Sequence, residues 1–158
     1  SLVALGISTL ANSNSWAENL KIGVVGPYTG EMSNYGISAK NGATLAIKHI
    51  NAAGGVLGTE LEVISQDDAC DSAKAAQVAE EMIAENVIAV IGHICNNSTE
   101  AALPSYLGAS IPVISAASTN PNLTNDRKYP NFFRTISHDA SQALLQVLVH
   151  CLRGRHRR

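Results

Sequence analysis

From Leu20 to Thr135, short apolar runs alternate with stretches of helical periodicity, and that alternation restricts the chain to a parallel α/β sheet. The clearest run is Val87-Ile88-Ala89-Val90-Ile91, whose β-branched residues suit a strand buried on both faces. It breaks at Gly92 into a polar loop at residues 96–99. A helix is expected next, with Asn97 or Ser98 as its cap and Glu100 in its first turn. Ligands of open α/β sheets bind beyond the carboxyl ends of the strands. A helix N-terminus placed there offers free N–H groups and partial positive charge to an anion. The loop is therefore either a first candidate for a small-molecule carboxylate site or an ordinary polar turn.

Four further units share this plan. A first strand at residues 20–25 ends in Gly26-Pro27-Tyr28-Thr29-Gly30, a loop that reaches Tyr35-Gly36. A helix is expected over about 37–52, with Ala39, Ala43, Ala46, Ile47 and Ile50 on one face and Gly54-Gly55 as its stop. The second strand is placed at 60–65, followed by a helix to about residue 85. Asp71 or Ser72 caps that helix, and Ala75, Ala79, Met82 and Ile83 form its stripe. The helix after the third strand carries Ala101, Ala102, Leu103 and Tyr106, and Pro104 should kink or shorten it. Strands four and five fall at 112–115 and 132–135. The expected order is the flavodoxin-like 2-1-3-4-5, an open parallel sheet with helices on both faces.

A chain of 158 residues can bury a real core. Its net charge of -2 points to neither nucleic acid nor a membrane surface. Four arginines (Arg153, Arg155, Arg157, Arg158) lie in the last six residues; without them 7 basic residues face 13 acidic ones, a balance of about -6. At the other end, residues 1–11 are an apolar run too short to span a bilayer. With Ser15-Trp16-Ala17 behind it, residues 1–17 read as the remnant of a signal peptide cleaved before Glu18, or as an apolar tail.

The chemistry-bearing motifs are sparse. Asp67 and Asp68 are adjacent on a strand end and so point to opposite faces, which favours structural or capping roles over a metal or acid/base pair. No phosphate fingerprint, Walker pattern or zinc spacing occurs, so no cofactor or metal is expected. Ser98, Ser115, Ser118 and His93 fit no nucleophile elbow, and His93 reads as a hydrogen-bonded structural residue. Cys70 and Cys95 follow strands two and three and lie at one edge of the sheet, with 24 residues between them. Closing that loop would stabilise the fold by about 3 kcal/mol. Strand one lies between the two in the expected order, so both loops would have to lean over it. Cys151 is the third cysteine.

Six motifs in order resemble the leucine/isoleucine/valine-binding proteins of ABC importers, the type I periplasmic-binding-protein family. They are Lys21-Ile22-Gly23-Val24-Val25-Gly26-Pro27 with Thr29-Gly30, Tyr35-Gly36, Ile50-Asn51-Ala52-Ala53-Gly54-Gly55-Val56-Leu57-Gly58, Asp67-Asp68-Ala69-Cys70-Asp71, Ile91-Gly92-His93-Ile94-Cys95, and Ile114-Ser115-Ala116-Ala117-Ser118-Thr119-Asn120-Pro121. The resemblance implies a non-enzymatic, monomeric, periplasmic solute-binding protein. It would capture a branched-chain or related small amino acid and serve the membrane subunits of an ABC importer. It places the ligand's carboxylate and amino group on Asn96, Ala117, Ser118 and Thr119, with Tyr35 lining the pocket, and implies a Cys70–Cys95 disulfide. The family often has Ser where this chain has Asn96.

Such proteins have two lobes, and residues 18–140 would make the first. Residues 141–158 do not resemble the family; they read as a truncated or frameshifted terminus, or as an amphipathic helix with a basic tip. Two rivals remain open: a hydrolase-type enzyme on a flavodoxin-like sheet, and a non-functional gene fragment.

Overall fold

The computed structural model describes residues 19–155, so the signal-peptide expectation lies outside the described residues. Five strands form one sheet: β1 (Leu20–Gly26), β2 (Leu61–Asp67), β3 (Ala89–Ile91), β4 (Val113–Ser115) and β5 (Phe132–Arg134). Every pairing is parallel and the order is β2-β1-β3-β4-β5, as expected. Four helices accompany it: α1 (Ser33–Ala52), α2 (Ser72–Ala84), α3 (Asn96–Gly108) and α4 (Asp139–Arg155).

The register explains the core. Ile64, Gly23, Val90, Val113 and Phe132 stand side by side across the five strands, on one face. The α2 stripe (Val78, Ala79, Met82) and the α3 stripe (Ala102, Leu103, Tyr106) pack onto that row and are buried. Gly23 makes room there, since a Cβ would stand 2.9 Å from Met82 Sδ. The opposite parity faces α1, where Ala43 and Ile47 are buried above β1 and β2. Cover on this side is incomplete. Ala46, Ile50, Ile22, Ala89, Ile91 and Ile114 line a groove of about 260 Å³, and Ile114 and Phe133 are 42% and 53% exposed.

Several element boundaries differ from expectation. α1 begins at Ser33, not near residue 37, so Tyr35 sits in its first turn. Gly36 lies inside the helix as a contact point with the β1 loop: a Cβ there would lie 2.0 Å from Pro27 O. β2 runs to Asp67 because its backbone stays in register with β1 as far as Gly26. β3 is shorter than the apolar run that contains it. α3 starts at Asn96 with Cys95 in the capping position, which neither expected cap occupies. It continues through Pro104 to Gly108; the residue is exposed, and Pro removes only one ladder bond.

α1 is locked to β2 by Asn51, whose Nδ2 donates to Leu61 O (2.8 Å) while Leu61 N–H donates to Asn51 Oδ1 (2.9 Å). α4 leaves Leu144, Leu145, Leu148 and Leu152 exposed. Among the described residues no helix is long and apolar enough to cross a membrane.

Candidate ligand-binding site

The carboxyl ends of β1, β3 and β4 converge, and a glycine permits it. Gly92 closes β3 at φ 137°, and a Cβ there would lie 2.1 Å from Val25 O. Only glycine combines that backbone conformation with that approach. Next to it, His93 is fully buried and its Nδ1 lies 2.6 Å from Asp68 Oδ2, also fully buried. Asp68 also receives the Cys70 N–H through Oδ1 (2.9 Å). The loops after β2 and β3 thus lean over the end of β1, which removes the topological objection to a Cys70–Cys95 bridge. That disulfide is formed, with Cα atoms 5.5 Å apart, and Cys151 is free and exposed. Asn97 Nδ2 donates to Cys70 O (2.9 Å), a second tie across the same seam.

The two aspartates divide along these lines. Asp67 receives the Tyr28 N–H (2.7 Å), the Thr29 hydroxyl (2.7 Å), the Ala69 N–H (2.9 Å) and Lys74 Nζ (3.0 Å). Partial burial pushes its carboxyl up, but the hydrogen bonds from Thr29, Tyr28, Lys74 and Ala69 outweigh it and hold the group well below the usual carboxylate range. Burial, with the nearby Asp68 charge, pushes the Tyr28 phenol up to about 12. Burial likewise raises Tyr106, whose ring lies 6.0 Å from that of His93. Both aspartates are therefore engaged in holding loops. Among the described residues no group of three or more His, Cys, Asp or Glu side chains could hold a metal ion.

The loop after β4 carries three of the residues singled out in the sequence. Ser118 is fully buried: its Oγ lies 2.6 Å from Thr99 Oγ1 and 3.0 Å from Ser115 Oγ, and its N–H donates to Ser115 Oγ (3.0 Å). The Ser115 hydroxyl in turn donates to His93 O (2.5 Å). The Ser118 hydroxyl is thus part of the site's floor. Ala117 and Thr119 on either side are half-buried. Asn96 is also half-buried, and its Oδ1 accepts the Asn120 N–H (2.9 Å), which joins the α3 N-terminus to the β4 loop. Its Nδ2 donors have no partner among the described residues. α3 has no side-chain cap, so the first-turn N–H groups at Asn96, Asn97 and Ser98 lack intrahelical acceptors at this edge. The structure therefore brings Asn96, Ala117, Ser118 and Thr119 together. Tyr35 stands on α1, 64% exposed, with no hydrogen bond to the other four.

Four contributors escaped the sequence reading: Thr99, Asn120, Arg134 and Asp139. Arg134 donates from Nη1 to Ser118 O (3.1 Å) and Asn120 O (3.1 Å), and from Nη2 to Thr124 Oγ1. Asp139 N–H donates to Thr119 O (3.0 Å). Arg134 was legible in principle. It falls on the same strand parity as buried Phe132, where a cation is accommodated only with partners.

The arrangement offers N–H and O–H donors at the positive end of a helix; it can hold an anion. The family model for periplasmic binding proteins matches residues 19–156, a span that takes in α4. The chain is 39% identical over 139 residues to the leucine-, isoleucine-, valine-, threonine- and alanine-binding protein of Pseudomonas aeruginosa, covering 88% of this chain and 37% of that one. It is 40% identical to the leucine-specific-binding protein of Salmonella typhimurium, over 89% of this chain and 38% of the relative. Among solved structures, the branched-chain amino acid transporter substrate-binding protein of Streptococcus pneumoniae in complex with isoleucine superposes with a TM-score of 0.72 at 33% identity, covering 77% of this chain and 35% of that one. A substrate-binding protein of Desulfitobacterium hafniense in complex with leucine gives 0.76 at 30% identity, over 87% and 40%. The chain thus spans about two fifths or less of the length of these relatives.

Proposed function

Because the chain belongs to the periplasmic-binding-protein family, whose members bind solutes rather than transform them, we propose that it is the carboxylate-receiving lobe of an exported amino-acid-binding protein. In this reading residues 1–17 direct export, 18–140 form the lobe, and the ligand is a branched-chain or similarly small aliphatic amino acid. Its carboxylate is received by the Thr119 N–H and hydroxyl and the open first turn of α3, with an Asn96 Nδ2 donor beside it. Ala117 O faces the ammonium group, Ser118 supports the loop from below, and Tyr35 closes one side. The protein works as a monomer and delivers its ligand to the membrane subunits of an ABC importer. No cofactor and no nucleic acid enter into it.

One observation carries the proposal. Between Ser118 and Asn120 every peptide group has a partner except the Thr119 N–H, which, with the Thr119 hydroxyl, is left without one among the described residues. Two adjacent donors beside a helix N-terminus match one carboxylate.

An amide NMR titration of the chain with leucine tests it. Shifts concentrated at Thr119, Asn96 and Asn97 at millimolar leucine are expected, and a smaller response to leucinol, which lacks the carboxylate. Equal response to the two, or shifts confined to other elements, would refute it.

A further inference from the structure

The segment presenting Thr119 is gripped by a side chain outside the ligand set. Arg134, at the end of β5, donates from one nitrogen to the carbonyls of Ser118 and Asn120, both at 3.1 Å. These carbonyls bracket Thr119. The same guanidinium reaches Thr124 Oγ1 and lies 5.8 Å from the Phe132 ring centroid.

Each peptide plane in the segment can be followed. The 117–118 plane is held at its N–H by Ser115 Oγ. The 119–120 plane is pinned at both ends, its carbonyl accepting from Asp139 N–H and its N–H donating to Asn96 Oδ1. The 120–121 plane has no N–H, because Pro121 follows, and its carbonyl accepts from both Arg134 and the Leu123 N–H (3.2 Å). The 118–119 plane is held only at its carbonyl, by Arg134. In a trans peptide the N–H points opposite the C=O. Fixing Ser118 O on Arg134 therefore aims the Thr119 N–H away from it, as a donor with no internal partner. A cation on the carbonyl also polarises that peptide and makes its N–H a stronger donor.

We propose that Arg134 is a positioning residue of this site: by holding Ser118 O and Asn120 O on one guanidinium nitrogen, whose neighbour is anchored on Thr124 Oγ1, it orients the Thr119 donors for the ligand's carboxylate. The assignment rests on the binding function proposed above. Lysine would keep the charge but lose the planar group that anchors one nitrogen on Thr124 Oγ1 while the other takes both carbonyls, because an ammonium is a compact point charge on a flexible stem.

The test compares the wild-type chain with Arg134→Lys by amide NMR, first without ligand and then in a leucine titration. In Arg134→Lys the ligand-free Thr119 amide resonance should move or broaden while amides in α2 stay in place. The leucine dissociation constant should rise about tenfold, the effect of losing one charge-assisted hydrogen bond. A folded Arg134→Lys with unchanged Thr119 resonance and unchanged leucine affinity overturns the assignment. Should that variant not fold, Arg134→Gln gives the same two readings. If wild-type chain shows no leucine response, the binding function falls, and Arg134 is judged by the ligand-free Thr119 resonance: movement supports it, a fixed resonance overturns it.

Discussion

His93 and Asp68 meet at 2.6 Å with both side chains sealed from solvent, and they do so across β1, joining the loops that follow β2 and β3. The backbone carbonyl of His93 accepts the Ser115 hydroxyl, so the pair is one hydrogen bond from the β4 loop. Removing the imidazole leaves the buried Asp68 carboxyl without its side-chain partner. His93→Leu should therefore cost about 3–5 kcal/mol in urea unfolding. Adding Asp68→Asn to His93→Leu should recover part of that loss. Strictly additive costs would show that the two side chains are not coupled.

The Cys70–Cys95 bridge closes 24 intervening residues over the same seam. Reduction should lower stability by roughly 2–4 kcal/mol. Non-reducing peptide mapping should recover Cys70 with Cys95 and leave Cys151 available to alkylation. A Cys95–Cys151 peptide would contradict the assignment.

Asp67 makes stability pH-dependent in a defined direction. Its carboxyl is held below the usual range when folded, so its contribution is fully present above the unfolded-state value, near 4, and is lost as pH falls through the folded-state value. Asp67→Asn should be about 2 kcal/mol less stable than wild type at pH 7. That gap should close as unfolding is measured at successively lower pH below about 4. A gap of constant size from pH 7 to 2 would mean that the carboxylate charge is not what holds Tyr28 and Thr29.

Ligand affinity is the sharpest test of function. If the proposed lobe meets its ligand alone, one side of the ligand stays in water; two or three contacts of about 1–1.5 kcal/mol each from an opposite wall would then be lacking, which weakens binding roughly 30- to 2000-fold. Calorimetry with leucine, isoleucine or valine at low micromolar concentration should detect no binding. Grafting the remaining length of a relative onto this chain should restore affinity, and Thr119→Ala in the graft should weaken it again. Tight leucine binding by the 158-residue chain alone would show that the tail or a second copy completes the site.

The succession of strands and helices and the inner stripe of α2 (Ala75, Ala79, Met82) were legible because apolar runs and period 3.6 are strong signals when one face is buried. The strand order is the usual one for such a sheet, since periodicity does not say which strands are neighbours. The site was legible only in outline. Residues 115–120 run Ser-Ala-Ala-Ser-Thr-Asn, with no hydrophobic periodicity to tell which hydroxyl turns inward, and the structure sends Ser118 down among Ser115 and Thr99. The resemblance places Asn96 on the ligand, yet its Oδ1 is occupied by Asn120 N–H, a contact set by the spacing of two loops and not by either sequence alone. Gly36 was placed in the loop before α1, yet it sits within the helix, where its missing Cβ lets the helix approach Pro27 O.

Gly92 contributes no side-chain atom to the site, yet it determines what a mutational survey of this loop can recover. A saturation library over residues 92–99 should return many alternatives at exposed Asn97 but only glycine at position 92, because even alanine would drive its Cβ into Val25 O. Selection for soluble chains alone would give that result, with no ligand present. Invariance at position 92 would therefore record how closely β1 and β3 must lie, and would say nothing about what the protein carries.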